Sequence, residues 1–177
     1  MNNLRRTGMN LALATVVFWL LSGSHAAADN GKEKTFRARL DGGHETPAIS
    51  TNASGEFHAT LNAAGDELSY ELTYSGLEGG NTLFAHVHLG QTGFAGGVMF
   101  FLCGGGGKPA CPNGEGTVTG TVNAGNVVGP SGQGISAGEF DEVIRAMRHG
   151  LSYANVHTVT FPSGEIRGQI NDNSAEQ

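Results

Sequence analysis

The chain has 177 residues, 29 of them glycine, and its 16 acidic residues outnumber its 10 basic ones. This balance argues against a nucleic-acid partner, because phosphate binding requires a basic face that the chain lacks. Few charges, many glycines and short runs of threonine, valine, phenylalanine and tyrosine favour an all-β domain over a disordered chain.

The N-terminal residues follow the pattern of a secretory signal peptide. Arg5 and Arg6 precede an apolar run at residues 11–21, and small residues ending at Ala28 come after it. The run is too short to span a bilayer. We therefore expect residues 1–28 to be a cleaved signal peptide. The mature protein, residues 29–177, is expected to be periplasmic or secreted, without a membrane span and with a single β domain whose core covers about residues 35–171.

Apolar and polar residues alternate in three segments near the start of the expected domain, which predicts three β-strands. These segments span residues 35–40, 55–62 and 67–75. The side chains predicted to face inward are Phe36, Ala38, Leu40, Phe57, Ala59, Leu61, Leu68, Tyr70, Leu72 and Tyr74. Residues 44–47, between the first two strands, are expected to be irregular because Pro47 cannot donate a backbone hydrogen bond.

A strand predicted over residues 84–89 carries two histidines on one face. Alternation directs Ala85 and Val87 to the core and places His86 and His88 on the outer face of the barrel. Side chains two positions apart on a strand are roughly 6.5–7 Å apart at their Cα atoms, so two imidazoles can converge on one ion. His157, in a later predicted strand, can complete the set. Solvated or hydrogen-bonding histidines are the alternative interpretation.

The two cysteines of the chain, Cys103 and Cys111, are separated by seven residues, four of them consecutive glycines. In an oxidising compartment this spacing favours a disulfide that closes a short loop. A two-thiolate metal site is the alternative, although the spacing matches none of the common zinc motifs.

The rest of the sequence predicts further strands and one short helix. Strands are expected at residues 98–103, 116–123, 153–161 and 165–170, and the residues of the last one predicted to face solvent are Glu165, Arg167 and Gln169. A capping-box pattern begins at Ser136 and is followed by apolar residues at helical spacing, namely Phe140, Val143, Ile144 and Met147. The polar residues 171–177 are expected to fray. Seven or eight short strands favour a sandwich or barrel.

Three segments resemble the CHRD domain, a family named after chordin that is common in exported bacterial proteins. They are residues 85–88 with the glycine-rich sequence that follows, residues 150–158 and residues 161–170. The resemblance covers roughly residues 36–171 and implies an immunoglobulin-like β-barrel with no well-established biochemical activity. Because the family is distantly similar to copper/zinc superoxide dismutases, the expected fold is an all-β, superoxide-dismutase-like Greek-key sandwich or barrel, with the one short helix predicted above.

The dismutase similarity also implies roles for four residues. By position, His86, His88 and His157 resemble copper ligands, and Arg167 resembles an arginine that guides the anion. The sequence contains no His/His/Asp cluster for a zinc site and no histidine between His88 and His149 that could bridge two metals. These differences argue against dismutase activity.

We therefore expect an exported metal-binding module that holds copper, or alternatively zinc, through His86, His88 and His157. His44, Met99 or a water molecule is a candidate for a further ligand, and binding should weaken below about pH 6.5 as the imidazoles become protonated. The second hypothesis is a structural or protein-interaction module whose partner is another exported protein. A dismutase-like redox enzyme is a third. The sequence indicates no catalytic residues and leans against an enzyme.

Overall fold

Nine strands and one α-helix make up residues 34–172, the part of the chain that the computed structural model describes. The strands are β1 (Lys34–Asp41), β2 (Ser54–Leu61), β3 (Leu68–Ser75), β4 (Thr82–Leu89), β5 (Val98–Cys103), β6 (Gly116–Val122), β7 (Ser152–Thr158), β8 (Ile166–Gln169) and β9 (Asn171–Asp172). Helix α1 spans Phe140–Arg148, and short 3₁₀ helices occupy Gly42–His44, Ala124–Asn126 and Ser131–Gln133. The predicted signal peptide at residues 1–28 lies outside the described residues.

The strands form a nearly closed antiparallel barrel. Their order is β5-β4-β7-β8-β1-β2-β3-β6, with β9 added beside β1, and the two edge strands β5 and β6 lie next to each other. Two contacts reinforce this closure. The Tyr70 hydroxyl on β3 donates to the Leu102 carbonyl on β5 at 2.7 Å, and a disulfide joins Cys103 at the end of β5 to Cys111 before β6. The predicted all-β fold with one short helix and a disulfide is confirmed.

The barrel interior contains the apolar residues that the alternation predicted. All ten residues predicted to face inward from the first three strands are buried. Ala85 and Val87 of β4 and Ala154 and Val156 of β7 join the same core. Burial of this kind contributes about 25 cal/mol per Å² of apolar surface removed from water, which makes it the main stabilising term of the fold. Within residues 34–172, no helix is long and apolar enough to cross a membrane.

The helix begins later than predicted. Half of the predicted capping box is present, since the Glu139 carboxylate accepts a hydrogen bond from the Ser136 backbone N–H at 2.6 Å. The first helical residue is nevertheless Phe140, because Gly138 has φ of +88°, a left-handed conformation that cannot continue an α-helix. The prediction for the C-terminal segment was wrong at its first two residues, because Asn171 and Asp172 pair with β1 instead of fraying; residues 173–177 are not among those described.

Glu165 and Arg167 were predicted to face solvent, and this prediction was wrong. They lie on the outer face of the sheet, but Glu165 is 0% exposed and Arg167 is 3% exposed because loops cover this face. The Glu165 carboxylate accepts four hydrogen bonds, from the Thr51 and Thr158 hydroxyls and from the backbone N–H groups of Glu78 and Gly79. It therefore ties two loops, at Thr51 and at residues 78–79, to the end of β7.

We predict that Glu165→Gln lowers the free energy of unfolding by about 3 kcal/mol, because the new amide group places N–H donors against the hydrogen-bond donors that surround the carboxylate. Chemical unfolding of the two proteins measures this. Glu71→Gln, an exposed change on β3, is the matched control and should change the stability by less than about 0.5 kcal/mol. Equal stability of the Glu165 variant and the parent protein would contradict this assignment.

Candidate metal centre

Pairing of β4 with β7 brings the three predicted histidines together. The antiparallel register sets Phe84 opposite His157 and His86 opposite Asn155, so His157 is a diagonal neighbour of His86 across the two strands. His88 follows two positions further along the same face of β4. The ring centroid of His86 lies 4.4 Å from the ring centroid of His88 and 4.4 Å from that of His157. The structure thus brings together all three histidines that the sequence indicated as candidate ligands.

Each of the three imidazole rings brings one nitrogen atom close to a nitrogen of the other two rings. These nitrogen atoms all lie within 4.8 Å of one another, and the side chains are almost completely covered, with exposures of 5% for His86, 9% for His88 and 5% for His157. His86 Nδ1, His88 Nε2 and His157 Nε2 are buried without a hydrogen-bond partner among the described residues. A buried nitrogen of this kind costs free energy unless something binds it.

The other ring nitrogen of two of these histidines is held by the backbone. His88 Nδ1 lies 2.8 Å from the Gly96 carbonyl oxygen, and His157 Nδ1 lies 3.0 Å from the Pro162 carbonyl oxygen. A carbonyl oxygen only accepts, so Nδ1 must carry the proton in both rings. The lone pair of each neutral ring is therefore on Nε2, the nitrogen without a partner. Metal-binding histidines are commonly oriented in this way by their second nitrogen.

Aromatic rings surround the cluster. Phe84 stacks on His86 with ring centroids 5.5 Å apart, and Phe101 from β5 meets the same imidazole edge-on at 5.2 Å. On the other side, Tyr153 lies parallel to His88 at a centroid distance of 4.6 Å. These contacts restrict the rotation of the imidazoles and exclude water from most of the ring surface.

Arg167 and Tyr153 fasten the loop that covers His88. The Arg167 guanidinium lies 3.4 Å from the centre of the Tyr153 ring, and its Nη2 donates to the carbonyl oxygens of Gln91 and Phe94 at 3.2 and 2.8 Å. The Tyr153 hydroxyl accepts from the Gly96 N–H at 3.1 Å. Because the Gly96 carbonyl in turn binds His88, Arg167 acts on the histidine cluster through the covering loop, residues 90–97.

A buried carboxyl group lies on the same face. Glu45 accepts a 2.5 Å hydrogen bond from Asn155, the residue of β7 that pairs with both His86 and Arg167. Burial raises the pKa of Glu45 to about 7, although the hydrogen bond from Asn155 and the charge of Arg167 oppose this shift. The outer face of β4, β7 and β8 is therefore a second, polar interior.

Burial also keeps the histidines neutral. It lowers the pKa of His86 to about 2, with the neighbouring His157 and His88 adding to the effect. The same cause lowers the pKa of His88 and of His157 to about 4, even though each donates to a backbone carbonyl, which favours the charged form. Protons should therefore not compete with a metal ion for these imidazoles near pH 6.5, as the sequence predicted, but only in more acidic solution, near pH 4.

The two further ligand candidates do not join the cluster. The His44 side chain is exposed and contacts the Asp41 carboxylate at 2.8 Å, whereas Met99 is part of the apolar core. Sequence reasoning missed Tyr153 and Asn155, although they precede His157 by four and two positions and alternation alone places them on its face. No local pattern indicated Glu45, which reaches this face only through the tertiary fold.

We predict that the metal-free protein loses stability as the pH falls from about 6.5 to 4.5. The unfolded chain protonates three histidines that the folded protein keeps neutral, and each contributes up to about 1.4 kcal/mol per pH unit. Glu45 contributes a slope of the opposite sign, because its pKa is higher in the folded protein than in the unfolded chain. The net slope should approach roughly 2.7 kcal/mol per pH unit. Urea unfolding at pH 7, 6 and 5 measures this slope.

The control variant is His44→Gln/His58→Gln, which removes two partly or fully exposed histidines and should retain the slope. A stability of the parent protein that does not change with pH would refute the assignment.

We also predict that Arg167→Gln releases the covering loop. The variant loses two charge-assisted hydrogen bonds and the stacking on Tyr153, which together contribute about 2–4 kcal/mol. Amide hydrogen exchange of residues 90–97 should accelerate, and Arg167→Lys should restore it only in part because lysine lacks the planar fork. Arg148→Gln, an exposed change on α1, is the control. Unchanged exchange in the Arg167 variant would show that this residue does not hold the loop.

Comparison with known proteins identifies the family of the chain. The model of the CHRD domain family matches residues 36–170, which run from the third residue of β1 to just past the end of β8 and include all three clustered histidines. No curated protein and no solved structure matches the chain. A disulfide and a CHRD domain both fit an extracellular protein. On the evidence of this match, the chain belongs to the CHRD domain family.

Proposed function

We propose that this protein is an exported metal-binding module that holds one copper ion through His86, His88 and His157. Two observations support this proposal. Each of the three imidazoles brings one ring nitrogen within 4.8 Å of the other two, and each has one buried nitrogen without a hydrogen-bond partner among the described residues. In two of the rings a backbone carbonyl already occupies the opposite nitrogen. A cation at this point would satisfy all three nitrogens at once.

The size of the cluster fits a transition-metal ion. Metal–imidazole bonds of about 2.0–2.1 Å require the three nitrogens to lie roughly 3.3–3.6 Å apart. The observed upper limit of 4.8 Å is larger by roughly 1.2–1.5 Å, an adjustment that side-chain rotations can supply. Larger movements are not required because β4 and β7 already set the positions of the Cα atoms.

The chemistry of the donors favours copper. Three neutral imidazoles suit copper and zinc, and affinity for divalent ions of the first transition row is greatest for copper. The histidine cluster contains no carboxylate or thiolate ligand from residues 34–172. Zinc is therefore the alternative ion, and hard cations such as Mg²⁺ and Ca²⁺, which require oxygen ligands, do not suit the site.

The proposed export rests on the N-terminal sequence and the disulfide. We infer that residues 1–28 are a cleaved signal peptide and that residues 29–177 form one domain in the periplasm or outside the cell. A disulfide between Cys103 and Cys111 is compatible with such an oxidising compartment. The three histidines would then bind the ion after export.

A protein-interaction module is the second candidate function. One observation favours it: Phe94, in the loop that covers the cluster, is 61% exposed, and exposed aromatic side chains are enriched at interfaces. A dismutase-like enzyme has less support, because redox catalysis on copper needs an open coordination position and the three histidines are almost completely covered.

We predict one-to-one copper binding that His86→Gln/His88→Gln weakens at least about 100-fold, since two of three ligands are lost. Copper and zinc titration of the metal-free mature chain measures the affinity, and electron paramagnetic resonance of the copper form should show nitrogen coupling. The control is His44→Gln/His58→Gln, which removes the same number of histidines outside the cluster and should bind copper like the parent protein.

A second variant distinguishes the loss of a ligand from misfolding of the protein. His157→Gln removes a ligand from another strand, and its far-ultraviolet circular dichroism and unfolding transition show whether the barrel is intact. If either cluster variant is folded and binds copper as tightly as the parent protein, the metal proposal fails. Equally weak binding by all variants would also reject it and would favour the protein-interaction module.

A further inference from the structure

A second polar feature lies on the outer face of β1 and β2. An open groove of about 570 Å³ is lined by Arg37, Arg39, His44, His58 and Glu56, together with residues of the covering loop and of β8 and β9. Arg37 and Arg39 both point outward from β1 and are exposed. None of the three clustered histidines lines the groove, which is therefore separate from the proposed metal site.

The two arginines have no ion-pair partner among residues 34–172, although the chain is rich in acidic residues. Two carboxylates of β1 and β2 contact histidines instead. Asp41 binds the His44 ring at 2.8 Å, and Glu56 lies 3.5 Å from the His58 ring. Two neighbouring arginines without an ion-pair partner among these residues concentrate positive charge at one point of the surface, and such a point attracts anions.

The spacing of these arginines indicates the kind of anion. Arg37 and Arg39 are two positions apart on one strand, so their Cα atoms are roughly 6.5–7 Å apart and their side chains leave the sheet in the same direction. A guanidinium binds a carboxylate or a phosphate with two parallel N–H donors. Two such forks side by side match an anion with two linked oxyanion groups better than a single one.

We propose that this groove binds a small anion with two linked carboxylate or phosphate groups between Arg37 and Arg39. On the β2 side, the register pairs Arg37 with His58 and Arg39 with Glu56. The single carboxylate that lines the groove therefore lies at the Arg39 end. The neighbouring His58 holds that carboxylate, which leaves both guanidinium groups available to the ligand.

The test uses pyrophosphate and succinate as probes on the metal-free full mature chain, with acetate as the single-group probe. Backbone and arginine side-chain NMR shifts report binding at low ionic strength, where screening is weak. We expect saturable shifts at Arg37 and Arg39, with pyrophosphate or succinate binding at least about tenfold more tightly than acetate. Comparison of pyrophosphate with succinate distinguishes phosphate from carboxylate ligands.

Matched variants separate a built site from general charge attraction. Arg37→Gln/Arg39→Gln should weaken the binding of pyrophosphate or succinate at least about tenfold. Arg145→Gln/Arg148→Gln removes the same charge from exposed positions on α1 and should leave binding unchanged. Both pairs are exposed, so folding is preserved, as unfolding curves can verify. Equal weakening by the two double variants, or shifts that do not saturate, would overturn the proposal.

Discussion

The pairing of β4 with β7 is the constraint on which the rest of this structure depends. It directs Ala85 and Val87 into the barrel core and, by the same alternation, commits three histidines to the opposite face. That face is then covered by loops instead of water. The sheet therefore separates two interiors, one apolar and one polar, and the polar interior requires a hydrogen-bond partner for every group it contains.

Most of these partners come from the covering loops themselves. The loop at residues 90–97 is held by Arg167, Tyr153 and His88, and Pro162 of the turn between β7 and β8 is held by His157. Glu165 likewise satisfies both of its oxygens through neighbouring segments. Five buried side-chain polar atoms of the described residues have no hydrogen-bond partner, and three of them are the imidazole nitrogens of this one cluster; the other two are Ser152 Oγ and Gln169 Oε1. In His88 and His157, the hydrogen bond that orients the ring also determines which nitrogen is left without a partner.

Alternation in the sequence predicted the strands, the apolar core and the outer face of the histidines, because side-chain direction in a strand depends only on position. It did not predict that Glu165 and Arg167 are buried, since whether a face meets water depends on loops that are distant in sequence. The position of Glu45 beside Asn155 has the same origin. The late start of α1 reflects one backbone torsion at Gly138, which the capping pattern at Ser136 does not reveal.

The place of the histidines along the chain has a consequence for folding. His86 and His157 are separated by about seventy residues, so the entropy of closing this loop must be overcome before they meet. A segment that contains only the His-X-His strand lacks the third histidine, and the covering turn with Pro162 is synthesised later still. The complete cluster forms only after β4 has paired with β7, so an ion held by all three histidines would bind chains that have already made this long-range pairing and would not nucleate the fold.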